Sequence, residues 1–183
     1  AIYIFGNKWW MIRKAGMIDK NFMNDIRDLI HDGKIKSALE LCQKYDSPIA
    51  RLVEKGIERI GRPLQDIQTA VENMGDVEVA RLEKGLPMLA TIAGGAPMIG
   101  FLGTVTGMIQ AFFRMSTAGN NIDITLLSGG IYEAMVTTVG GLFVGIIAYF
   151  GYNYLSSQIS NLVFKMESTT IEFIDMLHEP AGE

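Results

Sequence analysis

From Gly85 to Phe113 the chain carries no charged residue, and from Ile124 to Phe164 the only one is Glu133. About 20 predominantly apolar residues suffice for a helix to cross a bilayer at 1.5 Å rise per residue. Both stretches qualify, so the chain reads as an integral membrane protein with Glu133 at or inside its second span. Composition agrees, since 49% of residues are hydrophobic and eleven are Met. A net charge of -4 without a basic tract argues against nucleic-acid binding. The single Cys42 excludes an intramolecular disulfide and supplies no metal cluster, so no cofactor is expected. His31 and His178 lie among charged residues and read as surface positions. No nucleophile, base and orienting group occur as a set, so an enzyme is not expected.

The fold class implied is all-α: a membrane helical bundle whose long helices extend into a cytoplasmic helical domain. Residues 1–10 read as the end of a truncated first transmembrane helix, because Tyr3, Trp9 and Trp10 beside Lys8, Arg13 and Lys14 resemble an interfacial belt. A short interfacial helix start is the alternative. Residues 11–84 form the cytoplasmic helical domain. Within it, Ile18, Phe22, Ile26, Leu29 and Ile30 recur at helical spacing before Asp32-Gly33, and Ile35, Ala38, Leu39 and Leu41 open a second helix ending near Tyr45. Asp46-Ser47-Pro48 is a helix start, with a capping side chain ahead of Pro. That helix carries Ile49, Leu52, Val53, Ile57 and Ile60 and breaks at Gly61-Arg62-Pro63. From Leu64, a segment with Ile67, Val71, Met74 and Val79 is expected to run straight on into the first span.

The spans are expected at 85–115 and 124–155, joined by a periplasmic turn at 116–123. Residues 156–183 follow as a cytoplasmic C-terminal helix and tail, with Met166, Ile171, Ile174 and Leu177 near helical spacing. Lys8, Arg13, Lys14 and Lys20 flank one end of the large loop and Arg81 and Lys84 the other, whereas the short turn has only Arg114. The positive-inside rule then places the large loop and the C-terminus in the cytoplasm.

In the first span Ala93, Ala96, Gly100, Thr104, Gly107 and Ala111 recur at intervals of three and four; in the second, Ala134, Thr138, Gly141, Gly145 and Ala148 do so. Lipid gives helices no hydrophobic reason to associate, so they pack through small residues that let backbones approach. Glu133 is the sharpest single position, because an acid at membrane depth costs on the order of 2–3 kcal/mol or more and must face protein or water. Thr137 lies one turn deeper with Thr138 beside it, a pattern suited to a proton or cation path. The other reading is an interfacial Glu that caps a helix starting at Gly129-Gly130 or pairs with a cation.

The motif Pro97-Met-Ile-Gly100-Phe-Leu-Gly103-Thr104-Val-Thr106-Gly107, followed by Gly130-Ile131-Tyr132-Glu133-Ala134-Met-Val-Thr137-Thr138-Val-Gly140-Gly141-Leu142, resembles the MotA/TolQ/ExbB proton-channel family, and within it the ExbB branch. The resemblance implies that Thr104, Glu133 and Thr138 line the transmembrane pore, with Thr137 adding a hydroxyl, and that Gly100, Gly103, Gly107, Gly141 and Gly145 serve helix packing. It further implies a homo-oligomer, a pentamer, whose pore holds the helices of an ExbD-like protein carrying an essential aspartate. Motion would pass to a TonB-like protein, converting proton motive force into outer-membrane transport from the bacterial inner membrane. Membrane lipids are the remaining expected partner. Thr106, where an aromatic often follows the GTV triplet, and Tyr132, where a small residue usually stands, depart from the family pattern. A TolQ-like subunit and a non-conducting membrane scaffold remain open alternatives; the MotA branch, with an extra pair of spans, fits less well.

Overall fold

The computed structural model describes residues 2–16, 19, 21–117 and 124–178. These residues form seven helices and no strand: α1 Ile2–Ala15, α2 Phe22–His31, α3 Ile35–Lys44, α4 Pro48–Ile57, α5 Leu64–Glu83, α6 Leu86–Thr117 and α7 Ile124–His178. The chain is therefore all-α. It divides into two compact units, one made of Ala1–Gly6 and Gly85–Leu155, the other of Asn7–Lys84 and Ser156–Glu183. Ile18 and most of the 116–123 turn lie outside the described residues.

In the second unit the helix boundaries follow local chemistry. Ser47 is extended, and its hydroxyl accepts the Ala50 N–H at 3.1 Å, with Pro48 at the first helical position. Such a cap supplies an acceptor to a donor that the helix leaves unpaired. The core gathers Phe22, Ile26, Ala38, Cys42, Ile49, Leu52, Val53, Ile57, Ile67, Val71 and Leu82, all buried. Phe22 also meets Tyr45 edge-on, with ring centroids 5.3 Å apart. Ile60 lies beyond the end of α4, and Gly61 turns the chain at a φ of 95°, which a side chain would resist.

Two expectations for this region are corrected, and one buried charge is added to it. The segment from Leu64 does not run straight into the first span: α5 stops at Glu83, Gly85 adopts a φ of 93°, and α6 begins at Leu86. The α5 carbonyls of Arg81 and Leu82 instead accept from Lys8 Nζ, at 3.2 and 3.0 Å. In the C-terminal part of α7 the buried positions are Ile159, Leu162, Met166, Phe173 and Met176, whereas Ile171 is exposed. Phe173 selects that face, because its ring lies against Gly56 of α4, where an added Cβ would be 2.2 Å from Phe173 Cε1. Finally, α5 buries Glu78 along with its apolar residues, at 1% exposure. Its carboxylate accepts from Arg51 and Arg81, each at 2.7 Å, and Arg51 also reaches Asp46 at 2.9 Å. Hydrogen bonding to Glu78 raises the Arg51 pKa, while Lys14 and then Arg51 hold Asp46 below its ordinary value.

Cys42 shows what this core does to reactivity. It is 1% exposed, and burial, aided by the nearby charge of Glu54, pushes its thiol up to about 12 from 9.0. Only the thiolate attacks electrophiles, so at pH 8 the reactive fraction falls roughly a thousandfold. Maleimide labelling followed by intact mass is expected to leave Cys42 unmodified in the folded protein and modify it readily in urea. Fast labelling without urea would show that the α2–α4 core opens freely.

In the first unit α6 and α7 run antiparallel along a seam of small residues. An added Cβ at Gly141 would lie 2.6 Å from the Ala96 carbonyl and 2.8 Å from Gly100 Cα; one at Gly107 would lie 2.8 Å from Ala134 Cβ. Gly145 faces the Pro97 ring at 2.5 Å by the same measure, and the Ala93 carbonyl at 3.1 Å. Proline has no N–H to offer that carbonyl, so α6 lacks one hydrogen bond where α7 carries no side chain. Phe101, Ile109, Phe143 and Ile147 point away from the seam and are exposed. Near the start of α6, Phe5 of α1 meets Tyr154 with ring centroids 6.2 Å apart. Gly129 and Gly130 lie inside α7 rather than at its start, and Gly130 packs on Ala111, 2.7 Å from where its Cβ would be. They do not mark the helix start suggested as a reason for capping by Glu133.

Candidate functional site: a hydroxyl cluster beside an acid

The seam brings Thr104, Thr137 and Thr138 together. The Thr104 and Thr138 hydroxyls hydrogen-bond to each other. Thr104 Oγ1 lies 3.3 Å from the Gly100 carbonyl and 3.2 Å from that of Ala134. Thr138 Oγ1 lies 3.2 Å from the Gly100 carbonyl; Thr137 Oγ1 lies 2.7 Å from Ala134 O and 3.3 Å from Gly100 O. Each hydroxyl carries one proton and can accept through its lone pairs. Three donors thus share two backbone carbonyls and one another, and several proton arrangements satisfy the same heavy-atom positions. Close approach at Gly100 makes this possible, since a Cβ there would lie 2.9 Å from the Thr137 carbonyl.

Glu133 stands one helical turn from Thr137 and is exposed on this single chain. It does not join the hydroxyl cluster. It lines an adjacent groove of about 200 Å³, together with Thr106, Gln110 and Arg114 of α6 and Thr137 of α7. Thr137 borders both features. Gly103 sits at the same junction, where an added Cβ would be 2.5 Å from Thr137 Oγ1. The part of the groove supplied by Gln110 and Arg114 was missed in the sequence, although Thr106, Gln110 and Arg114 recur at intervals of four and so share one helix face. Thr106 also donates to the Leu102 carbonyl at 2.9 Å.

Two helices long and apolar enough to cross a membrane thus pack through glycine, with three hydroxyls on their seam and an acid beside it. The chain belongs to the MotA/TolQ/ExbB proton channel family, whose model matches residues 44–168. Among its relatives, a putative biopolymer transport protein ExbB homologue of Methanothermobacter thermautotrophicus is 30% identical over 173 residues, covering 91% of this chain and 61% of that protein. TolQ of the Tol-Pal system from Haemophilus influenzae is 36% identical over 104 residues, or 57% of this chain and 45% of its own length. The biopolymer transport protein ExbB of Neisseria meningitidis is 28% identical over 163 residues, or 81% of this chain and 71% of that protein. The chain thus spans 61% and 45% of the first two relatives.

Proposed function

We propose that this chain is an ExbB-like proton-channel subunit of an inner-membrane energising complex, acting with an ExbD-type partner and a TonB-like protein to drive outer-membrane transport. The observation that carries the reading is the set of three hydroxyls on two carbonyls beside Glu133, in a chain of the proton-channel family. Thr104, Thr137 and Thr138 are assigned to the polar lining, and Glu133 to the electrostatics of the path rather than the shuttle. A pentameric ring, with the large loop and the C-terminus in the cytoplasm, completes the proposal. Each proton moving down the gradient releases roughly 2.3 kcal/mol per 100 mV of membrane potential. A proton taken up by the partner's carboxylate would change its attraction to these hydroxyls and so its position in the ring.

The test is energy-dependent uptake in cells carrying Thr104→Val, Thr138→Val or Glu133→Ala, with assembly followed by native mass. Valine keeps the shape of threonine and loses the hydroxyl, while the Gly100 and Ala134 carbonyls keep their backbone partners within α6 and α7; each hydrogen bond lost contributes about 0.5–1.5 kcal/mol. Uptake is expected to fall roughly tenfold or more, with assembly intact. Normal uptake in all three variants would leave a non-conducting scaffold. The similarity to TolQ favours a second reading, an envelope-maintenance subunit. Rescue of detergent sensitivity in cells lacking their TolQ, without rescue of uptake in cells lacking ExbB, would select it.

A further inference from the structure

The groove beside the hydroxyl cluster holds two opposite charges that no close contact joins. Arg114 comes from the last turns of α6 and Glu133 from α7, and both line the same space of about 200 Å³. The six ion pairs found among the described residues all lie elsewhere, in or near helices α1 to α5. Arg114 and Glu133 are both exposed on the single chain. Register sets them on either side of one contact: Ala111 packs on Gly130, Arg114 stands three residues beyond it along α6 and Glu133 three residues beyond it along the antiparallel α7, about 9 Å apart along the axis, with Gln110 in between. Gln110 lies one turn from Arg114 on the same helix face and also lines the groove. Its amide suits the position between them, since its N–H groups donate to a carboxylate and its oxygen accepts from a guanidinium.

A lone carboxylate within an apolar segment is costly, and so is a lone guanidinium; opposite charges sharing one wet cleft offset that cost. We propose that Arg114 is a positioning residue for Glu133, coupled to its charge across the groove through Gln110 and water. The pair keeps the groove neutral overall and open to water beside Thr137, without placing Arg114 in the path itself. This rests on the reading of the helix pair as a proton-channel element and adds to it a residue that fixes where the acid stands.

The test is a double-mutant cycle on the full chain in nanodiscs, read as the unfolding rate in denaturing detergent. Arg114→Gln and Glu133→Gln are expected to speed unfolding roughly tenfold each, because each strands the other charge, whereas the doubly neutral variant stays within about threefold of the parent. Arg114→Lys, which keeps the charge, is expected to remain near the parent rate. Charge exchange, Arg114→Glu with Glu133→Arg, is expected to unfold more slowly than either reversal alone. Effects that simply multiply in the neutral cycle would overturn the coupling. So would an Arg114→Gln variant as slow to unfold as the parent, meaning that the arginine merely reaches the interface, or an Arg114→Lys variant as fast as Arg114→Gln. The proposed channel function fails on a different result, normal uptake in the Thr104 and Thr138 variants, which leaves the unfolding cycle untouched.

Discussion

Gly141→Val is expected to part α6 from α7, while Gly140→Val, one residue away, leaves them together. The two positions differ only in what they face. A Cβ at Gly141 meets the Ala96 carbonyl at 2.6 Å and Gly100 at 2.8 Å, whereas one at Gly140 meets nothing within 4 Å. Overpacking costs about 1–3 kcal/mol when neighbouring side chains can shift, and more when they cannot. Here the obstructing atoms are backbone, so no change of rotamer relieves the contact and about 3 kcal/mol or more is expected. Displacing the backbone at Gly100 also pulls its carbonyl from the Thr104 and Thr138 hydroxyls. Unfolding in graded detergent mixtures, with both variants side by side, reads the difference. Equal losses at the two positions would remove the close approach as the cause.

Glu78→Ala is the second large effect, and it acts in the other unit. The carboxylate is 1% exposed and bonded to two arginines; Arg51 is itself 29% exposed and Arg81 62%. Removing one member of a buried ion pair typically costs about 3–5 kcal/mol, because the remaining charge keeps its desolvation without its partner. Arg81 can turn to water and Arg51 cannot do so fully, which places the expectation at the lower end, about 3 kcal/mol. Changing Glu78 and Arg51 together to Met and Leu is expected to recover much of that loss, since apolar replacement of a whole buried pair is often neutral. Thermal unfolding followed by helical circular dichroism checks both. A loss below about 1 kcal/mol for Glu78→Ala would mean that water substitutes for the carboxylate.

The seam was legible in the sequence because membrane helices pack by a rule that is local: small residues at intervals of three and four mark the contact face. The same held for Ser47 and Pro48, where the cap and the first turn lie within four residues of each other. What could not be read there depended on residues distant along the chain. Nothing local marks Glu78 as buried: Arg81 is its neighbour on α5, but the second arginine, Arg51, comes on α4 from 27 positions away. The tail of α7 offered more than one apolar stripe, and the absence of a side chain at Gly56 decided for Phe173 and Met176. Arg114 was counted only as a topological cation, because its relation to Glu133 arises across the antiparallel seam. Thr137 was picked out as a neighbour of the acid, but its place at the border between hydroxyls and groove needed Gly103 opposite.

The shared hydroxyls also fix how this part of the bilayer responds to an electric field. Thr104, Thr137 and Thr138 can exchange donors among the Gly100 and Ala134 carbonyls by rotating C–O bonds, with no heavy atom displaced. A cluster of this kind is polarisable: its dipoles turn toward whichever charge stands near, on the fast timescale of exposed side-chain rotors. Hydrocarbon on the lipid-facing sides of the same two helices offers no such response. A charge beside this seam would therefore be solvated in advance by rotors already in place, and moving it past them would require little rearrangement of the protein around it.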